Sequence, residues 1–183
     1  MLLTRFFSLG LVSVACASSL GVRQTTNTNA AINSIVDSVD KTSRNVGSTI
    51  NTLQANHTLN SATLGAQLKI LENSFSNATT QLAATAPSAG STTVSPTNDD
   101  IGDTFGDALQ LVATSLSGIA AQGSVSTFSS LIATLDPIVA TTVKQFNTTA
   151  PNSFNLVHIF MLDAQQFLAD EGMTQTRTAL GFT

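Results

Sequence analysis

The sequence predicts an all-α fold, an up-and-down bundle of four to five antiparallel helices, with one helix kinked or broken near Pro137. Three observations lead to it. Apolar residues recur at alternating spacings of three and four, as they must when one stripe of each helix faces a shared seam. No segment sustains the period-two alternation of a half-buried strand. Breakers rich in Asn, Gly, Pro and Ser fall between the apolar runs, and short connections favour helices that fold back on one another.

The elements follow in chain order. Arg5 supplies a positive start, Phe6 to Ala15 a short apolar stretch, and Ala15-Cys16-Ala17 an A-x-A site, which together predict a signal peptide over 1–17, cleaved there or after Ser19. The stretch falls short of the roughly 20 residues that span a bilayer. Cleavage removes Cys16, the only cysteine, so disulfides and thiol catalysis drop out of the mature chain. Lipidation of Cys16 within "SVAC" is the rival, weakened by Ser13 where a large aliphatic residue is wanted.

After a short tail at 18–28, a single domain spans 29–170. Its first seam is Ile32, Val36, Val39, Ser43, Val46, Ile50, Leu53, and its second Leu64, Leu68, Leu71, Phe75, Ala78, Leu82, with Asn56 to Asn60 between them. "TAPSAGSTTVSPTNDD" reads as a flexible linker at 85–98, ending in Thr97 or Asn98 as N-cap with Asp99 and Asp100 in the first turn. The third seam is Ile101, Phe105, Ala108, Val112, Ser115, Ile119, widened by Leu109 and Leu116 and stopped at Gly123. The fourth runs Val125, Phe128, Ile132, Leu135, Val139, Thr142, Phe146 straight through Pro137, which lacks an N–H and crowds the preceding turn, so the helix either kinks or breaks at Asp136. Pro151-Asn152 opens the fifth, Phe154, Val157, Met161, Ala164, Leu168, and 171–183 reads as a C-terminal tail.

Composition narrows the function. Charged residues make up 10% of the chain, the net charge is −4 and the pI about 4.8, so there is no basic stripe for nucleic acid or for anionic membranes. No second apolar stretch is long enough for a transmembrane anchor, and "TALGFT" is not a lipid-anchor tail. Asn56-His57-Thr58, Asn77-Ala78-Thr79 and Asn147-Thr148-Thr149 are N-glycosylation sequons. With the signal peptide they point to a secreted glycoprotein, extracellular or in a cell wall.

Catalysis finds little support. The histidines are His57, crowded by a sequon, and His158, read as a core-edge residue bonded to a backbone carbonyl or water. Neither comes with a nucleophile at a telling spacing, so no enzyme and no cofactor is expected. Asp99, Asp103 and Asp107 share a helical face, but their spacing is not that of a calcium loop, and acids in a first turn answer the helix dipole; no metal site is expected.

Apolar binding has more. Gly102 and Gly106 notch the third helix, which a neighbouring Phe or a ligand tail would fill. The fifth helix has a second apolar stripe through Phe160 and Phe167, so it is either buried centrally or lends its surplus to a hydrophobic cavity, where Met161 suits an aliphatic ligand. The candidate contacts are Phe105, Leu109, Phe128, Phe146, Val157, Phe160, Met161 and Phe167. Without Trp or Tyr there is little to stack on sugars.

Stretches such as "LKILENSFSNATTQLAAT", "DIGDTFGDALQLVATSLSGI" and "LIATLDPIVATTVKQFNTTAPNSF" carry a resemblance. From about Asn29 to Asp170 the chain resembles the fungal hydrophobic surface-binding protein A and cell wall galactomannoprotein family. That likeness implies a secreted, non-enzymatic protein that adsorbs to hydrophobic surfaces, some relatives holding fatty acids in an internal cavity. The expected function is therefore binding of a hydrophobic surface or a fatty-acid-like lipid. The alternatives are a structural cell-wall or coat component, and a secreted inhibitor or effector that works through a protein partner. Widened apolar stripes would also serve a homo-oligomer.

Overall fold

The computed structural model describes residues 27–183; the expected signal peptide and most of the short tail lie outside them. Seven helices follow in order: α1 (Asn29–Ala55), α2 (Ser61–Ala84), α3 (Asn98–Leu116), the single turn α4 (Ile119–Gln122), α5 (Phe128–Thr149), α6 (Pro151–Asp170) and α7 (Thr174–Ala179). The described residues hold no strand. The expected all-α bundle is what the chain forms.

Each long helix buries the seam that its spacing marks. From Ile32 to Ile50 on α1, Leu64 to Leu82 on α2, Ile101 to Leu116 on α3 and Phe128 to Phe146 on α5, the seam residues join one core. Ser43, Ser115 and Thr142 are buried at seam positions too. Thr142 earns its place by donating its hydroxyl to a carbonyl, that of Phe75 (3.1 Å) on α2 or of Ile138 (3.0 Å) on its own helix.

Caps explain where α2 and α3 start. Asn60 accepts the N–H groups of Ala62 and Thr63 at 3.0 and 3.1 Å. Thr97 accepts from the Asp100 N–H at 3.1 Å, and the Asp100 carboxylate accepts from the Thr97 N–H at 2.8 Å, a reciprocal capping box. Helix α3 stops at Leu116, before the expected Gly123, because Ser117 and Gly118 leave the helical conformation; Gly123 closes α4 instead. Helix α5 runs unbroken through Pro137.

Consecutive long helices alternate in direction, yet neighbours within a layer run parallel. Arg44 pairs with Asp107 and Gly47 approaches Ser115, so α1 and α3 advance together. Gly102 meets Leu156 and Gly106 meets Phe160, so α3 and α6 do the same. Phe75 with Thr142 and Leu82 with Thr149 set α2 parallel to α5. One layer is thus α1–α3–α6, the other α2–α5–α7, and Phe105 stacks on Phe146 between them with ring centroids 4.4 Å apart. The 85–98 segment makes this order reachable by crossing the end of the bundle from α2 to α3.

That segment was expected to be a flexible linker, and it is tied down. Buried Asn29 donates to the Pro96 carbonyl at 2.9 Å and accepts from Ser88, while the Ser88 N–H reaches the Thr149 carbonyl at 2.8 Å. A buried backbone must find such partners, and Asn29 shares the task with Asn98, which accepts the Ser91 N–H at 2.8 Å, and with Asn152, which donates to the Ala89 carbonyl at 3.2 Å.

The expected tail at 171–183 is likewise a packed element. Helix α7 folds back along α6 and fills the gap between α6 and α5, burying Met173, Thr176, Leu180 and Phe182. Its N-terminus is capped from another helix: Asp136, buried on α5, accepts the N–H groups of Gln175 and Thr176 at 2.9 and 2.8 Å. Glu171, also buried, accepts from the Gly118 and Ala120 N–H groups at 2.6 and 3.3 Å and pins the end of α3. Six residues without a repeating seam form a helix because this site completes it.

Away from the core, the threonines turn inward. Thr42, Thr49, Thr52, Thr80, Thr114 and Thr148 each donate the hydroxyl to the carbonyl four residues back.

Replacing Asp136 by Ala should destabilise the protein by about 3 kcal/mol, because two backbone donors lose a charged acceptor. Urea denaturation measures the loss, and hydrogen exchange should quicken first at the amides of Gln175 and Thr176.

Candidate functional site

The eight residues expected to contact an apolar ligand are mostly core. Phe105, Phe146, Val157 and Met161 are fully buried, and Leu109 and Phe128 are 2% and 5% exposed. They pack on one another and on the remaining core residues. Phe160 and Phe167 are half-buried, and of the eight only Phe160 lines one of the surface depressions described, a dish of about 270 Å³ with Asp37, Asp40, Arg44, Asp103, Thr104 and Asp107. The seam spacing found these positions because core and cavity wall share one periodicity.

Helix α6 is not central. Val157, Met161, Ala164 and Leu168 face inward, whereas Asn155, Ile159, Leu162, Asp163 and Gln166 face solvent. Ile159 is 50% exposed and Leu162 52%, one turn apart on that outward face. Half-buried Leu156 and Phe160 flank them on the α3 side, and half-buried His158 on the α7 side. The apolar surplus of this helix therefore divides between a notch and the surface.

The notch is the Gly102–Gly106 step. A β-carbon on Gly102 would lie 3.0 Å from both the Leu156 Cβ and the Ser153 carbonyl oxygen, and one on Gly106 would lie 3.0 Å from the Phe160 Cβ. Leu156 and Phe160 are themselves one turn apart, so two bulky residues seat into two vacancies. Neighbouring side chains, Phe160 at Gly106 and Leu156 at Gly102, fill the notch, leaving no room there for a ligand tail.

The histidines are committed or remote. The His158 Nδ1 lies 2.7 Å from the Leu180 carbonyl oxygen, which can only accept, so this nitrogen carries a hydrogen. Its ring stacks on Phe182 with centroids 4.4 Å apart. His57 is exposed in the α1–α2 turn. Among the described residues, neither imidazole bonds a hydroxyl or a carboxylate.

The acidic stripe is dispersed. Asp107 pairs with Arg44 at 2.6 Å, and Arg44 also holds Asp40 at 2.8 Å; these two acids raise the Arg44 pKa, Asp40 foremost. Asp100 caps α3, and the Thr97 N–H, aided by the Ser95 hydroxyl, holds its carboxyl below the ordinary value of 3.8. Among the described residues no group of three or more His, Cys, Asp or Glu side chains could hold a metal ion. No described helix is long and apolar enough to cross a membrane.

All three sequon asparagines are exposed: Asn56 at the end of α1, Asn77 on α2 and Asn147 on α5. The chain matches no protein-family model and no curated protein.

Two outcomes follow. Gly106→Leu should cost about 1–3 kcal/mol or more by forcing α3 from Phe160, read as a lower urea midpoint. Because the Asp100 pKa is depressed in the folded state, its contribution is full above 3.8 and fades as pH falls through the depressed value. The midpoint gap between the protein and Asp100→Ala should accordingly close on acidification.

Proposed function

We propose that this is a secreted, non-enzymatic glycoprotein that adsorbs to hydrophobic surfaces through the outward face of α6. The observation that carries the reading is the pair Ile159 and Leu162, each about half exposed on a helix whose opposite face is fully buried. Large aliphatic side chains held in water by a rigid helix gain free energy whenever an apolar surface covers them.

The resemblance to hydrophobic surface-binding proteins supports the same reading. So does charge: α6 carries no lysine or arginine, so nothing on it needs an anionic partner. The interior favours surface over cavity. A fatty-acid-like ligand held among Phe105, Leu109, Phe128, Phe146, Val157 and Met161 would have to displace side chains that already fill that space.

Covering what remains exposed of Ile159 and Leu162 is worth about 1 kcal/mol each. Replacing both by Ser should therefore weaken adsorption to an alkylated surface by at least about tenfold while leaving the thermal midpoint nearly unchanged. A quartz-crystal microbalance with alkylated and bare sensors measures the first, and circular dichroism the second. Undiminished adsorption by the double variant would remove α6 from the contact.

A further inference from the structure

We infer that the protein is two-edged: N-glycans at Asn56 and Asn77 occupy the edge opposite α6, so that an adsorbed layer presents sugar to water and makes an apolar surface wettable. The inference rests on the adsorption reading and adds what the layer does once formed.

The positions come from the packing order. In the layer α1–α3–α6, α3 separates α1 from α6. In the other layer α7 and α5 separate α2 from α6. The α1–α2 pair and α6 therefore form opposite edges of the bundle. Asn56 ends α1 at the turn into α2. Asn77 lies on α2 beside the α1 residues Ile35, Ser38 and Thr42 around a depression of about 220 Å³. The third sequon, Asn147, sits near the end of α5, and neither α3 nor α6 carries one.

A second, independent feature lies at the same edge. Ile70 is 47% exposed on α2, a large aliphatic residue that meets water beside Thr42 of α1. Asn77 follows it by seven residues, two helical turns along the same face, which is about 10 Å. A glycan core on Asn77 is long enough to lie back over Ile70. Sugar then covers the apolar residue on one edge and leaves Ile159 and Leu162 bare on the other. An amphiphile results whose polar pole is carbohydrate and whose apolar pole is a helix.

The modification requires an oligosaccharide bonded through its first carbon to a lipid diphosphate. The asparagine Nδ2 attacks that carbon, an N–C bond forms as the C–O bond breaks, the lipid diphosphate leaves, and one amide proton passes to base. Exposure of Asn56 and Asn77 leaves room for the product in the folded chain.

The test uses the full chain secreted from a eukaryotic host. Intact mass should show occupancy at Asn56 and Asn77. The water contact angle of an alkylated surface should drop after coating. Asn56→Gln with Asn77→Gln should coat to the same protein mass yet leave a clearly higher contact angle. Moving a sequon to the other edge, with Asp163→Asn and Gln165→Thr, should abolish adsorption once that site is occupied, and enzymatic deglycosylation should restore it. Empty sequons at Asn56 and Asn77, or a contact angle indifferent to their loss, would overturn the inference while leaving adsorption intact. Failure of the wild-type chain to adsorb at all would instead overturn the reading beneath it.

Discussion

The close approach of α3 and α6 governs the rest of the molecule. Gly102 and Gly106 let Leu156 and Phe160 seat against the α3 backbone, and that contact fixes the rotation of α6 about its axis. With the rotation fixed, Val157, Met161 and Leu168 must point into the core, and Ile159 and Leu162 must point out of it. Pulled toward α3, α6 stands off from α5. The space left between them is the one α7 fills.

Two buried carboxylates make that filling specific. Asp136 and Glu171 each accept two backbone N–H groups from segments distant in sequence, Gln175 with Thr176 and Gly118 with Ala120. Such bonds resemble N-caps delivered through space, and an ionised acceptor makes them stronger than neutral ones. They stitch the end of α3, the middle of α5 and the C-terminal segment into one end of the bundle. Asn29 plays a comparable part at the other end, where it holds the 85–98 crossing.

Much of this was legible in the sequence and some was not, for physical reasons. The long helices could be read because a buried stripe imposes its period on 19 or more residues, and the start of α3 could be read to within a residue, at Thr97 or Asn98, because acids follow in the first turn; the reciprocal bonds with Asp100 decide for Thr97. Helix α7 could not, since "TQTRTA" has no stripe and owes its helicity to Asp136, 38 or more residues earlier. The fate of the α6 surplus was also hidden. Periodicity says that two faces are apolar, but the glycines that decide which one is covered lie on another helix. For the same reason six of the eight candidate contacts lie in the core: spacing reports that a side chain is inward, and not whether another side chain already occupies the space before it.

The threonines that bond back to their own helix carry a last consequence. An exposed hydroxyl already donating to a carbonyl four residues away has less to offer a water molecule, and the methyl group beside it offers nothing. With charged residues at 10% of the chain, the outer surface relies on hydroxyl and amide groups for its hydration more than on lysine and glutamate. These groups hold water without net charge, so ionic strength has little to screen. Such a surface keeps its character as the salt concentration changes.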